Sequence, residues 1–318
     1  MLTIIVPCYN EEETIPLFFK AIESQKKYLN EPIEYIFIND GSQDESIKKI
    51  KELGLQFTNV HFIDFSRNFG KEAAMFAGLQ KASGDFVTIM DADLQDPPEL
   101  LPEMLMMLNN NPELDCVGTR RIDRNGESAT RSFLAKTFYK LMDKISDAQL
   151  VDGARDFRMM RRQMVDAILM LTEYNRFSKG LFTWVGFNTE YLTYNNRERV
   201  AGETSWSFKQ LFRYSIEGIT DFSDLPLSIA TYMGVISCVI AVLSLVVIVL
   251  RTLIFGDPTQ GWPSLASIVL LLGGIQLLCI GIIGKYVGKI YLETKNRPIY
   301  IIKDTDLDVS NKSDIEEK

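Results

Sequence analysis

Short runs of apolar, β-branched and aromatic residues alternate with helix-length segments through the first ninety residues: Leu2 to Pro7, Glu34 to Asp40, Val60 to Phe65 and Phe86 to Asp91. Nearly continuous apolar strands separated by helices predict a mostly parallel sheet covered on both faces, hence an α/β domain. His61, the one histidine, falls inside the third run and reads as a strand residue. The pattern changes near the C-terminus. Leu227 to Leu250 carries no charge over 24 residues, and a second uncharged run follows from Trp262 to Gly284. At about 1.5 Å per residue, either crosses a hydrocarbon core of about 30 Å. Two buried core helices are the competing reading, but uncharged runs of this length favour a transmembrane hairpin.

That division predicts three parts: an α/β domain over 1–225, a two-helix membrane segment over 226–288, and a C-terminal tail over 289–318. Basic residues flank the hairpin on both ends, Arg197, Arg199, Lys209 and Arg213 before it and Lys285, Lys289, Lys295, Arg297 and Lys303 after it. The connecting loop carries only Arg251. The positive-inside bias then places both ends in the cytoplasm of a multi-pass protein, and no cleavable signal is expected at the N-terminus. Acid-rich residues from Asp304 onward predict a solvated tail. Two stretches mixing aromatic and aliphatic residues with Lys and Arg, Ser132 to Ile145 and Phe208 to Phe222, predict interfacial helices, with ordinary core packing as the rival.

Composition removes several function classes. A net charge of −8, from 34 basic and 42 acidic residues, gives no general attraction to a phosphate backbone, so nucleic acid is not expected as a partner. Four scattered cysteines without a Cys-x-x-Cys pair, and a single histidine, exclude a disulfide scaffold or a zinc site and disfavour a histidine-dependent hydrolase.

Candidate chemistry sits where three strands end: Pro7-Cys8-Tyr9-Asn10-Glu11, Asn39-Asp40-Gly41-Ser42 and Asp91-Ala92-Asp93-Leu94-Gln95-Asp96. In open α/β sheets the ligand crevice lies outside these C-terminal strand ends. No Gly-x-Gly-x-x-Gly or Gly-Lys-Ser/Thr loop follows a strand, which sets aside the commonest dinucleotide and phosphate devices. Asp91 and Asp93, with Gln95 as a further oxygen, form a hard-oxygen set suited to Mg²⁺ or Mn²⁺ bridging a diphosphate. A solvated turn is the ordinary reading of a lone Asp-x-Asp, and its place at a strand end beside two similar clusters is what outweighs it. Arg67 and Lys71 flank a helix start, where phosphates are readily held.

These motifs, together with Arg67-Asn68-Phe69-Gly70-Lys71 and Pro97-Pro98, resemble the family 2 inverting glycosyltransferases, and more narrowly the polyprenyl-phosphate glycosyltransferases that include dolichol-phosphate mannose synthases and bactoprenol glucosyltransferases. The resemblance covers the catalytic domain and both apolar runs. It implies a GT-A fold, a nucleotide-sugar donor, a lipid-phosphate acceptor and a homo-oligomer, with a tetramer expected. Carried over, it places Pro7, Tyr9, Glu11, Asp40, Asp91 and Lys71 at the nucleotide sugar, with packing as the rival role for Tyr9 and a turn for Asp40. Asp93 would hold the metal with Asp91 and Gln95. The segment Gly153 to Met159 resembles the one carrying the family's proposed catalytic aspartate, which makes Asp156 the catalytic candidate alongside Asp93. An acceptor phosphate is already mostly dianionic at neutral pH, so Asp156 has as much reason to orient as to deprotonate. Arg158, Arg199 and Thr204 are the lipid-phosphate candidates, an ion pair near Asp156 being the alternative for Arg158.

The resulting expectation is inverting transfer of one sugar, UDP-glucose being the favoured donor, to undecaprenyl phosphate on the cytoplasmic face of a bacterial inner membrane. Two alternatives remain open at this stage: a processive polysaccharide synthase subunit, for which no Gln-x-x-Arg-Trp is present, and a membrane-tethered nucleotide-sugar-binding pseudoenzyme.

Overall fold

The computed structural model describes residues 1–121, 151, 153–195, 225–255 and 261–307. Its first unit, Met1–Ser215 with Pro298–Lys318, is built on an eight-stranded sheet of order β7-β5-β6-β4-β1-β2-β3-β8. The central strands are β1 (Leu2–Cys8), β2 (Ile33–Asn39), β3 (Val60–Phe65) and β4 (Phe86–Ile89), all parallel and matching the four apolar runs to within two residues at either end. Every β4 residue and all of β1 except Pro7 are buried, as expected of strands covered on both faces.

On one side of β4 the direction reverses. β6 (Ala154–Arg161) runs antiparallel to both β4 and β5 (Cys116–Arg121), and β7 (Thr189–Tyr194) lies parallel to β5. Five residues of β6 continue past Asp156 from the sheet's rim toward its far edge, so the end that carries Asp156 lies level with the C-terminal ends of β1 and β4.

Helices cover both faces. The first core cluster joins α1 (Thr14–Gln25) and α4 (Leu101–Asn110) to the sheet through Phe18, Phe37, Leu105 and Phe157. Buried Ile15, Phe18, Phe19 and Ile22 follow the 3.6-residue helical period. α2 (Ser46–Gln56) buries only Ser46 and Ile50 and is otherwise a surface helix. The second cluster packs α3 (Lys71–Lys81), α5 (Arg162–Leu169) and α6 (Ser178–Trp184) on the opposite face. Residues Ala73 to Leu79 of α3 are all buried, and small side chains let this helix sit hard against β1: a Cβ at Gly78 would collide with Ile5.

The first residues of the solvated tail expected from Asp304 are paired with the sheet, while 308–318 lie outside the described residues. β8 (Ile302–Thr305) adds antiparallel to β3 and closes that edge of the sheet. Tyr300 stacks on Phe65 with centroids 4.9 Å apart, Lys51 pairs with Asp304 at 2.5 Å, and His61 Nδ1 lies 2.9 Å from Asp306. Acidic residues that look solvated in sequence thus meet basic partners on β3 and α2, contacts that no local pattern announces.

The second unit, Ile216–Arg297, contains α7 (Leu225–Phe255) and α8 (Trp262–Thr294). Within them Pro226–Ser244 and Leu271–Thr294 are long and apolar enough to cross a membrane and are almost wholly unburied within the chain. α8 continues ten residues past Gly284, where the uncharged run ends, because Lys285, Tyr286, Lys289 and Tyr291 are compatible with helix although they end the uncharged run. The two expected interfacial helices, Ser132–Ile145 and Phe208–Phe222, lie outside the described residues.

Candidate active site

The strand-end clusters converge. Behind β1, the Asn10 turn has a positive φ of 55° and is laced to the turn after β2: the Ser42 hydroxyl accepts from Asn10 N–H at 3.0 Å, Asn10 Oδ1 accepts from Gln43 N–H at 2.9 Å, and the Ser46 hydroxyl accepts from Glu11 N–H at 2.8 Å. These bonds fix the floor on which Pro7, Tyr9 and Glu11 sit. Tyr9 is 43% exposed, which disposes of core packing as its role. The Glu11 carboxylate accepts the Thr14 hydroxyl at the start of α1.

Asp40 is buried, and both carboxylate oxygens are engaged by backbone: Phe69 N–H at 2.6 Å and Gly70 N–H at 2.9 Å. Gly41, at φ +65°, lets the 67–68 backbone approach so closely that a Cβ there would collide with Arg67. Burial pushes Asp40 up to about 6, against the pull of those two amides and of Arg67. The structure therefore gives Asp40 a definite job, holding the loop that leads into α3.

That loop delivers Lys71. Its ammonium lies 2.6 Å from Asp91 and 2.8 Å from Asp156, joining three sequence candidates at one point. Burial alone would raise Asp156; the Lys71 ammonium outweighs it and, with Lys179 and Arg155, holds the carboxyl well below the usual range. Lys71 is correspondingly raised, its two carboxylates overcoming burial. Arg155, one residue before Asp156 and so on the opposite face of β6, pairs with buried Asp96 at 3.2 Å and reaches Asp91 at 3.8 Å. Tyr194 of β7 donates to the same Asp96 oxygen at 2.6 Å.

Asp93 is 5% exposed and accepts Gln95 N–H at 3.0 Å across Leu94, a non-glycine residue at φ 57°. A left-handed Leu costs about 1 kcal/mol, held here by Leu94's packing against the first core cluster. Gln95 Oε1 accepts from Arg121 at 3.1 Å, so this oxygen is already engaged. Among the described residues no group of three or more His, Cys, Asp or Glu side chains is placed to hold a metal ion.

Arg158 is a correction. Although it shares a face of β6 with Asp156, it is 2% exposed, stacks on Phe182 at 3.7 Å and donates to the Arg155 carbonyl at 3.0 Å. A guanidinium so enclosed packs β6 against α6 and does not face a phosphate in solvent. Arg199 and Thr204 lie outside the described residues. Sequence reasoning also missed Glu72, whose carboxylate accepts from both the Ser178 N–H and hydroxyl. An acid in the first turn of a helix next to Lys71 was the available signal.

An α/β domain of this topology, with two aspartates at a central strand end and a half-buried cluster joining one of them to Lys71 and Asp156, has the GT-A architecture of nucleotide-sugar-dependent glycosyltransferases. The chain belongs to glycosyl transferase family 2, whose sequence profile matches residues 3–169, and it is a glycosyltransferase. It is 42% identical over 302 residues to the bactoprenol glucosyl transferase of Shigella phage SfII, covering 95% of this chain and 97% of that one. It is 41% identical over 307 residues to the glycosyltransferase CsbB of Bacillus subtilis (strain 168), covering 96% and 92%. Among solved structures, glucosyl-3-phosphoglycerate synthase from Mycobacterium tuberculosis in complex with Mn²⁺, UDP-glucose and phosphoglyceric acid aligns at 18% identity and TM-score 0.47, covering 69% of this chain and 79% of that one.

Proposed function

We propose that this chain transfers a single glucosyl unit, with inversion, from UDP-glucose to undecaprenyl phosphate at the cytoplasmic face of a bacterial inner membrane. The observation that carries the reading is the convergence of Lys71, Asp91 and Asp156 beside Asp93, in a chain that full-length relatives named bactoprenol glucosyl transferases match end to end. A soluble donor and a lipid acceptor meet only at a membrane surface, which gives the two apolar helices their purpose. Glycines at 273, 274, 281, 284 and 288 of α8 would allow close packing between copies, in keeping with a homo-oligomer, the tetramer included.

Pro7, exposed Tyr9 and Glu11 would lie beside the donor nucleotide, with the Asp40 turn next to its base. Asp93 with Asp91 would hold Mg²⁺ or Mn²⁺, their remaining ligand positions being left to water and the donor diphosphate, as these hard cations prefer. The ion would offset the charge that grows on the leaving nucleotide. Asp156 is held as a carboxylate so firmly that it is a poor proton acceptor; it orients Lys71 and the incoming phosphate, which needs no base.

Transfer from a panel of labelled nucleotide sugars to undecaprenyl phosphate, in purified membranes, tests this. We expect one lipid-linked glucose that requires divalent metal, at least about a hundredfold loss in Asp93→Asn, and a measurable residual rate in Asp156→Asn. Polymeric product, or donor binding without transfer, would overturn the reading.

A further inference from the structure

Beside the Lys71–Asp156 pair is a cavity of about 210 Å³ whose lining includes Arg67, Phe69, Glu72, Ala73, Arg176 and Ile299. None of the donor-side candidates Pro7, Tyr9, Glu11, Asp91 or Asp93 lines it. Its volume corresponds to about seven waters, room for a group of about ten heavy atoms.

Two guanidinium groups define its chemistry. Arg176 is 8% exposed and stacks on Phe76 at 4.2 Å, with one terminal nitrogen donating to the Leu171 carbonyl; its buried Nε has no acceptor among the described residues. A buried N–H without a partner is costly unless something supplies the acceptor. Arg67 stacks on Phe69 at 4.1 Å, so its planar fork is also held by an aromatic face. Phe69, Ala73 and Ile299 make one part of the wall apolar, and Tyr174 and Asn175 complete the lining. Cationic forks next to an apolar wall suit a phosphate monoester borne on a hydrocarbon chain.

We infer that this cavity receives the phosphate head of the acceptor and the first carbons of its chain, with Arg67 and Arg176 facing the phosphate oxygens. The inference rests on the polyprenyl-phosphate reading above. Inverting displacement requires the nucleophile to enter opposite the leaving group. The leaving diphosphate belongs to the Asp91–Asp93 strand end, and the cavity adjoins that cluster through Glu72, next in the chain to Lys71. Burial pushes Glu72 up to about 7 against the Ser178 hydrogen bond, with the Asp156 charge adding to the rise, so near neutrality it is only a partial anion and opposes a phosphate weakly.

The test compares detergent-solubilised full-length wild type, Arg67→Gln and Arg176→Gln in transfer kinetics and in equilibrium binding of farnesyl phosphate and inorganic phosphate without donor. Expected is about a tenfold rise in KM for undecaprenyl phosphate in each variant, donor KM within about twofold, and a matching loss of farnesyl phosphate binding. An unchanged acceptor KM, or an equal rise in donor KM, overturns the assignment while leaving the transferase reading intact. Wild type that binds farnesyl phosphate through Arg67 yet transfers no sugar overturns the transferase reading and keeps the cavity. Inorganic phosphate binding as tightly as farnesyl phosphate overturns the lipid source. Should the buried Arg176→Gln fail to fold, the exposed Arg67→Gln decides.

Discussion

Asp40 and Asp156 both lie at the rim of the same sheet, both against α3's leading end, and they ionise in opposite directions. Asp40 receives two backbone N–H groups and still rises to about 6; Asp156 receives one ammonium at 2.8 Å and falls well below the ordinary range. Amide dipoles recover only part of what burial takes from a carboxylate, whereas a full opposite charge more than offsets it. The loop side of the site is therefore held by a carboxylate near its titration point, and the chemical side by one that stays charged.

Removing the ammonium should erase the contrast. In Lys71→Met, Asp91 and Asp156 lose the ammonium they share and keep only the more distant charges of Arg155 and Lys179, and we expect at least about a hundredfold loss of transfer. Lys71 is 35% exposed, so the 3–5 kcal/mol cost of breaking a fully buried pair is discounted to about 1–3 kcal/mol, read from the thermal midpoint in detergent. Retained transfer in a folded Lys71→Met protein would remove the cluster from the active site.

Acid should separate the two sides without mutation. Asp40 and Glu72 bind their protons more tightly folded than unfolded, so their contribution to stability is complete below about pH 4 and lost as pH rises through about 6 and about 7. Asp156 behaves in the reverse sense, its contribution being present above about pH 4 and lost as pH falls further. Thermal midpoints measured from pH 3.5 to 8 should peak near about pH 4 and fall to about pH 7, the buried Asp40 accounting for about 3 kcal/mol of that decline. A curve that rises steadily to pH 8 would contradict this.

The smallest effect is expected from Asp40→Asn. The amide keeps one acceptor for the Phe69 and Gly70 N–H groups, loses the other, and removes a desolvated charge, so stability at pH 7 should change by no more than about 1 kcal/mol. Its sign of success is shape: the decline between about pH 4 and about pH 6 should flatten.

Strands, strand-end polar clusters and apolar helices were legible because each is written locally, in a period of two, a run length or a turn. Val60–Phe65 could be read to the residue from its apolar and aromatic run, although His61 and Asp64 lie within it. Asp91, Asp93 and Asp156 could be named from their motifs. Arg158 was misjudged because sequence spacing gives a side chain's face and not what packs over it, here Phe182. Glu72 and Arg176 escaped because nothing near them in sequence shows that Ser178 would lie on one and Phe76 under the other.

By itself, then, the sequence determined the α/β alternation, the acidic clusters at the strand ends and the two membrane-length helices, since local sterics and hydrophobic period act over a few residues. The tertiary structure decided which charges meet. Lys71 finds Asp91 and Asp156 from 20 and 85 residues away, and β8 returns some 240 residues to cover β3. Such pairings depend on how the whole core packs, and their ionisation on the solvent that packing excludes, so no local pattern encodes them.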